Sequence, residues 1–370
     1  MKRILVTGGA GFIGSHLADE LLQHGYKVRV LDNLSVQVHG PERKRPSYLN
    51  PEVELIVGDI RDPDYVRKSL NGIDAVYHFV SIVGVGQSMY ELVRYTDVNN
   101  LGTAVLLEEL IRRPVERLIV ASSMSIYGEG LYRAPDGSIH SNVDRTLDQL
   151  RRCDWEMRGS DGQPLKPIPT PEWKTPSLAS VYALSKYDQE RMCLMIGQAY
   201  GISAVAMRFF NAYGPNQALS NPYTGVLAIF ASRLLNNQPP IVFEDGCQLR
   251  DFVSVSDVAG ACRLALEVPA AAGHVFNVGS GVQYRVAEIA RHMARILGKN
   301  IEPEIAEEYR VGDIRHCFPD ISLARDLLGY EPEVSLEDGL LDLAAWLEGQ
   351  IAEDRFIEAR RELAARGLVV

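Results

Sequence analysis

In the stretch SVYALSKYDQE, residues 180–190, a tyrosine and a lysine stand four positions apart, Tyr182 and Lys186. On a helix that spacing stacks both side chains on one face, where they can reach a single bound molecule. A phenol beside an ammonium has an obvious use. The cation favours the phenolate, and the phenolate can take a proton from a substrate hydroxyl. Taken alone, the pair fits a packed tyrosine and a solvating lysine at least as well.

Other residues could serve the same site. TGGAGFIG, Thr7 to Gly14, lies between an apolar strand pattern and a helical one. Glycines at such a junction permit a tight turn, let the backbone approach a pyrophosphate and leave the helix N-terminus open. Gly8, Gly11, Phe12, Ile13 and Gly14 are therefore candidate cofactor residues. The next strand pattern ends at Asp32 and Asn33. A carboxylate there can bond both ribose hydroxyls of an adenosine and repels a 2′-phosphate, which predicts NAD in preference to NADP. In VGDIRD, Asp59 could meet adenine nitrogens while Ile60 covers the ring. In ASSMSIYG, Ser122 and Ser123 end a strand where open α/β sheets bind ligands, so Ser123 could face Tyr182 or simply close the strand.

These residues need elements that bring them together. KRILVTG, IGSHLADELLQHG and KVRVLD alternate strand, helix and strand. The rhythm continues through VELIVGD, DAVYHFV, a helical stretch near residues 91–113, RLIVASS, the Tyr182 helix and SAVAMRFF. Strands this continuously apolar are buried on both faces, which predicts an α/β fold with a doubly wound, Rossmann-type parallel sheet. The predicted organisation is an NAD-binding domain over 1–211 and a smaller substrate-binding lobe over 212–370, some of whose strands return to the first sheet. Residues 129–180, rich in Pro, Gly and charge, interrupt the rhythm and read as an insertion: a lid, a binding loop, a small subdomain or a solvated ornament.

Of the 370 residues 46% are hydrophobic and 23% charged, with a formal charge of −10. That balance argues against a general nucleic-acid or anionic-membrane binder while leaving room for a few arginines around a small anion. With neither a signal-peptide pattern nor a membrane-spanning apolar run, a cytoplasmic protein is expected. Cys153, Cys193, Cys247, Cys262 and Cys317 are odd in number and never in CxxC spacing, so no disulfide framework or metal site is expected.

Together, TGGAGFIG, Asp32, Asn99 in DVNNLGT, Ser123 in SMSIYG and YALSK resemble the extended short-chain dehydrogenase/reductase family. RFFNAYGPNQ, EDGCQLRDFVSVSDVA, VFNVGSG and YRVGDIRHCFPDISLARDLLGYEP resemble its nucleotide-sugar epimerase and dehydratase branch, and the likeness covers nearly the whole chain. The resemblance implies Ser123, Tyr182 and Lys186 as catalytic residues, with Tyr182 and Lys186 also touching NAD. It adds Phe79, Val80, Ser81 and Asn99 to the cofactor residues. It implies Val83, Ser123, Asn211, Val226, Phe243, Arg250, Arg310 and Asp313 as nucleotide-sugar contacts, the arginines on the diphosphate and Asp313 on a ribose hydroxyl. It also implies a homodimer packed through the 91–113 and Tyr182 helices.

Dehydratases of this branch carry an Asp-Glu pair immediately after the hydroxyl residue; here those positions are Met124 and Ser125, which supply neither acid nor base. The expected activity is therefore 4-epimerisation through a transient 4-keto sugar. The insertion, VGVGQSMYELVRYT and NQALSNPYTGVLAIFASRLLN are similar to the dTDP-L-rhamnose 4-epimerase subgroup. UDP-glucose and UDP-glucuronate 4-epimerases stay open, as do a net oxidoreductase and a non-catalytic NAD sensor. Val80, Ile82, Val83 and Val85 give the expected sugar-side loop no basic residue, which suits a C6 methyl better than a C6 carboxylate.

Overall fold

The computed structural model describes residues 2–369. Its central sheet has seven strands: β1 (Arg3–Thr7), β2 (Lys27–Asp32), β3 (Glu54–Val57), β4 (Ala75–His78), β5 (Arg117–Ser123), β6 (Ser203–Phe209) and β7 (Val275–Val278). They lie in the order β7-β6-β5-β4-β1-β2-β3, all parallel. Side chains alternate across each strand, so an apolar run feeds two cores. Ile4 and Val6 join Leu17, Leu21, Val258 and Cys262 on one face, while Leu5 joins Leu106, Leu110 and Cys193 on the other. The doubly wound fold follows, with its strand order reversing between β1 and β4. That reversal opens a crevice at the carboxyl edge of the sheet.

The Phe12–Gln23 helix packs on Val255–Glu267 over the first face, and Pro63–Ser69, Gly102–Arg112 and Val181–Tyr200 cover the second. The Val181–Tyr200 helix begins where the Ser180 hydroxyl accepts the Ala183 N–H and ends at Gly201, φ +71°. That left-handed stop suits glycine. The helical stretch expected near 91–113 comprises Leu92–Tyr95, a π-turn over Thr96–Leu101 and Gly102–Arg112. Past residue 211 the chain returns to the large sheet through β7, which pairs with β6.

The remaining lobe wraps its own core, in which Phe230, Leu234, Phe252, Ile289, Met293, Leu340 and Leu343 are buried. The insertion forms an antiparallel sheet, with Leu131–Arg133 between Ile139–His140 and Lys166–Ile168. Charges fasten it to that lobe: Arg145 meets Glu244 at 2.8 Å, and the wholly buried Arg315 meets Glu156 of the insertion at 2.5 Å. Among the described residues no helix is long and apolar enough to cross a membrane.

Candidate functional site

A cavity of about 760 Å³ runs along the carboxyl edge of the sheet and on between the two cores. At one end Gly8 has φ +72°, and a Cβ there would sit 2.8 Å from the Val80 nitrogen. Only glycine allows that approach of the β1 and β4 loops. A Cβ on Gly14 would sit 2.5 Å from the Gly9 Cα, so the helix seats directly on the loop. Gly11 precedes the helix without any side-chain cap, leaving its first N–H groups open to an anion. This cradle fits the pyrophosphate of a dinucleotide.

Asp32 ends β2 with its carboxylate accepting the Ala10 N–H at 3.1 Å and the Leu34 N–H at 2.9 Å. Burial pushes its pKa up, against the pull of those amides and of His39 at 3.8 Å. Asn33, Ile60, Phe79, Val80 and Ser81 also line this end. Two expected cofactor residues are bonded to protein partners. Asp59 stands between the lining residues Gly58 and Ile60: Arg61 grips its carboxylate at 2.7 Å, Asn33 donates to it at 3.1 Å, and Arg61 holds it well below the usual carboxylate range. Asn99 is wholly buried behind the wall. Its Oδ1 accepts the Ile82 N–H at 2.8 Å, and its Nδ2 donates to the Ile82 carbonyl at 3.1 Å and to the Ser185 hydroxyl at 2.9 Å. Asn99 thus ties the loop after β4 to the Tyr182 helix, and the π-turn aims it there.

Midway along the cavity Ser123 ends β5, and its oxygen accepts the Ser125 N–H at 3.1 Å and the Ser125 hydroxyl at 2.9 Å. Tyr182 and Lys186 face it from one side of their helix, and all three line the cavity. Burial raises the Tyr182 pKa, and a hydrogen bond from Ser123 opposes the rise. Burial lowers the Lys186 ammonium to about 7. Its Nζ donates to Gln189 Oε1 at 2.9 Å, and Gln189 donates in turn to Thr103 at 2.9 Å and to the Val80 carbonyl at 3.2 Å. Sequence reasoning missed Gln189 as a support for the lysine, although it lies one helical turn further on.

Val83, Asn211, Val226, Phe243, Arg250, Arg310 and Asp313 line the other end. Asn211 spends its amide on the Asp251 carbonyl at 2.7 Å. Arg250 donates to the carbonyls of Leu249 and Arg315, each at 2.9 Å, and of Ile314, and among the described residues no carboxylate pairs with it. Arg310 and Asp313 are bonded to each other at 2.9 Å, with the guanidinium 4.4 Å from the Phe243 ring centroid. Any nucleotide contact must use their remaining atoms or part the pair. No lining residue comes from 129–180. The wall is completed instead by Phe356, Ala359, Arg360, Leu363 and Leu368, which nothing in the sequence had marked.

Comparison with known proteins agrees with this geometry. Residues 4–146 and 158–279 match the NAD dependent epimerase/dehydratase family. The chain is 35% identical to the dTDP-L-rhamnose 4-epimerase of Burkholderia thailandensis over 95% of its length and 96% of the relative's. Its fold is similar to that of the UDP-glucose 4-epimerase of Thermotoga maritima with UDP-glucose (TM-score 0.77, 32% identity, 94% and 99% of the two chains). It is also similar to the UDP-glucuronic acid 4-epimerase of Bacillus cereus in complex with UDP-glucuronic acid and NAD (TM-score 0.74, 28% identity, 94% and 99%).

Proposed function

This chain belongs to the NAD dependent epimerase/dehydratase family, and from that premise we propose that it interconverts dTDP-L-rhamnose and its C4 epimer, dTDP-6-deoxy-L-talose. The observation that carries the substrate is the apolar wall formed by the loop after β4: Val83, Val85 and Gly86 line the same cavity as Tyr182. A carboxylate there would lack a counter-charge and cost several kcal/mol, whereas burying a methyl gains roughly 1 kcal/mol.

NAD, when bound, accepts the C4 hydride and later returns it. In the proposed assignment Tyr182 takes the C4 hydroxyl proton and gives it back after the 4-keto sugar has turned over. Free tyrosine titrates near pKa 10, so working at neutral pH requires a shift of roughly 3 units. Burial opposes that shift here. The Lys186 ammonium and the positive nicotinamide must therefore outweigh it. Ser123 orients the hydroxyl. Gly8, Gly11, Phe12, Ile13 and Gly14 cradle the pyrophosphate, and Asp32 holds the adenosine ribose. Arg250 and the uncapped start of the Val226–Leu235 helix suit the substrate diphosphate.

The same reading pairs two copies through the helices that carry Leu101, Leu184 and Met195. These side chains are about half exposed at 50%, 46% and 52%, and sedimentation should show a dimer. The substrate assignment is tested by kcat/KM for dTDP-L-rhamnose, UDP-glucose and UDP-glucuronate under identical conditions. The expected order is as written, and a clear preference for UDP-glucuronate overturns it.

A further inference from the structure

The last described turns of the chain lie across the cavity and touch both of its sides. Phe356 packs on Phe243 with ring centroids 6.2 Å apart, and Arg360 meets Glu308 at 2.7 Å. Beyond the Phe356–Ala365 helix, the Leu368 carbonyl accepts the Val311 N–H at 3.0 Å. These contacts belong to the lobe carrying Arg250 and Arg310. On the opposite side the Arg366 guanidinium lies 4.3 Å from the Tyr90 ring centroid, and Leu363 packs on Gly86. A Cβ on Gly86 would lie 3.2 Å from both Leu363 methyls, so the glycine is what admits the leucine this close. Only 5% of Leu363 is exposed.

Charge is arranged unevenly around this cover. Arg310 is paired with Asp313 and Arg360 with Glu308, both toward Phe243, while Arg250 donates to carbonyls of that same lobe. Val83, Val85, Gly86 and Leu363 are themselves uncharged, and the cations on this side are engaged, Arg94 by Glu91 at 2.7 Å and Arg366 by the Tyr90 ring. The two valines and the glycine lie on the loop that follows β4 and line the same cavity as Tyr182.

We propose that the C-terminal helix is a specificity-determining cover, in which Leu363, pressed onto Gly86, selects the substituent at C6 of the bound sugar: methyl over hydroxymethyl, and both over carboxylate. This inference rests on the nucleotide-sugar reading above but requires neither the dTDP base nor the L-rhamno configuration. A flat apolar contact discriminates modestly between methyl and hydroxymethyl, and strongly against an unpaired charge.

The test uses the full-length holoenzyme and three sugars differing only at C6: UDP-6-deoxyglucose, UDP-glucose and UDP-glucuronate. Their dissociation constants, measured by titration calorimetry, report the C6 contact whether or not each sugar turns over. In the parent, affinity should fall in that order. Leu363→Ala should cut the 6-deoxyglucose preference over glucose about ten-fold. Leu363→Arg should raise glucuronate affinity relative to 6-deoxyglucose by about a hundred-fold. Thermal unfolding and retained NAD show whether each variant is folded, and if the arginine variant is not, the alanine variant decides alone. Ratios within two-fold of the parent in the folded variants, or no binding of any of the three sugars to the parent, overturn the proposal. Failure of the parent on dTDP-L-rhamnose, with the C6 ratios responding as stated, would instead sink only the substrate proposed above.

Discussion

Lys186 Nζ donates to Gln189 Oε1 at 2.9 Å, from an ammonium that burial has brought down to about 7. No carboxylate bonds that nitrogen; a neutral amide fixes its direction and leaves its charge unspent. The amide is itself held by Thr103 and Val80, so the lysine is aimed from behind. Gln189→Met keeps the bulk and removes the acceptor. It should lower kcat about ten-fold at neutral pH with KM little changed, because the lost interaction orients the reacting groups rather than the nucleotide. An unchanged kcat would show that Lys186 needs no such support.

Tyr182→Phe removes the one hydroxyl assigned to proton transfer and should cost at least about 10²-fold in kcat while nucleotide-sugar binding persists. Its pH dependence has a definite sign. Burial holds the Tyr182 phenol above its ordinary value in the chain without cofactor. Added positive charge from NAD+ favours the phenolate and lowers that pKa. Tyrosinate absorbance, parent minus Tyr182→Phe, should therefore appear at lower pH with NAD+ bound than without. Coincident titrations would contradict this.

NAD is the cofactor, and Asp32 is the residue that should exclude NADP. Asp32→Ala removes a carboxylate that would face the 2′-phosphate and should narrow the NAD over NADP affinity ratio by about ten- to a hundred-fold. Fluorescence titration of both cofactors measures the ratio. A variant as selective as the parent would move the discrimination elsewhere, with His39 the nearest alternative.

Beneath the site His78 is wholly buried and bonded on both ring nitrogens, to Thr7 and to Thr103, each at 2.8 Å. Burial, with help from Lys186, lowers its pKa to about 3. The folded pKa lies below the unfolded one near 6.5, so on acidification the unfolded chain takes up this proton first. The neutral ring's contribution is complete above pH 6.5 and is lost as pH falls toward 3, amounting to about 2 kcal/mol by pH 5. Urea unfolding at pH 7.5 and pH 5 should show that loss reduced in His78→Gln. Equal losses in parent and variant would remove His78 from the acid response.

What was legible in the sequence was local. The glycine loop, Asp32, Ser123 and the Tyr182–Lys186 spacing are positions that backbone geometry fixes by itself, and the apolar strands dictate the sheet that gathers them. Side-chain partnerships across the fold were not legible. Asp59 stands at the expected strand end, and its carboxylate is paired with Arg61. Asn99 lies in the expected segment, yet the π-turn delivers it to Ile82 and Ser185 rather than to the cavity. Arg310 and Asp313, assigned separately to diphosphate and ribose, meet each other. The insertion drew attention through its composition but lines no part of the cavity, whereas the Phe356–Ala365 helix, with an ordinary amphipathic pattern, does. Nothing local distinguishes a helix that packs on a core from one that packs over a ligand.

The proposed epimerisation moves a hydride off C4 and returns it to the same carbon without net oxidation. Proton NMR of dTDP-L-rhamnose incubated with the purified holoenzyme in D₂O, without added cofactor or reductant, tests it directly. The C4 epimer should accumulate to equilibrium with protium retained at C3, C4 and C5 and with no build-up of reduced-nicotinamide absorbance. Deuterium at C3 or C5, or NADH formed in step with an oxidised product, would contradict it.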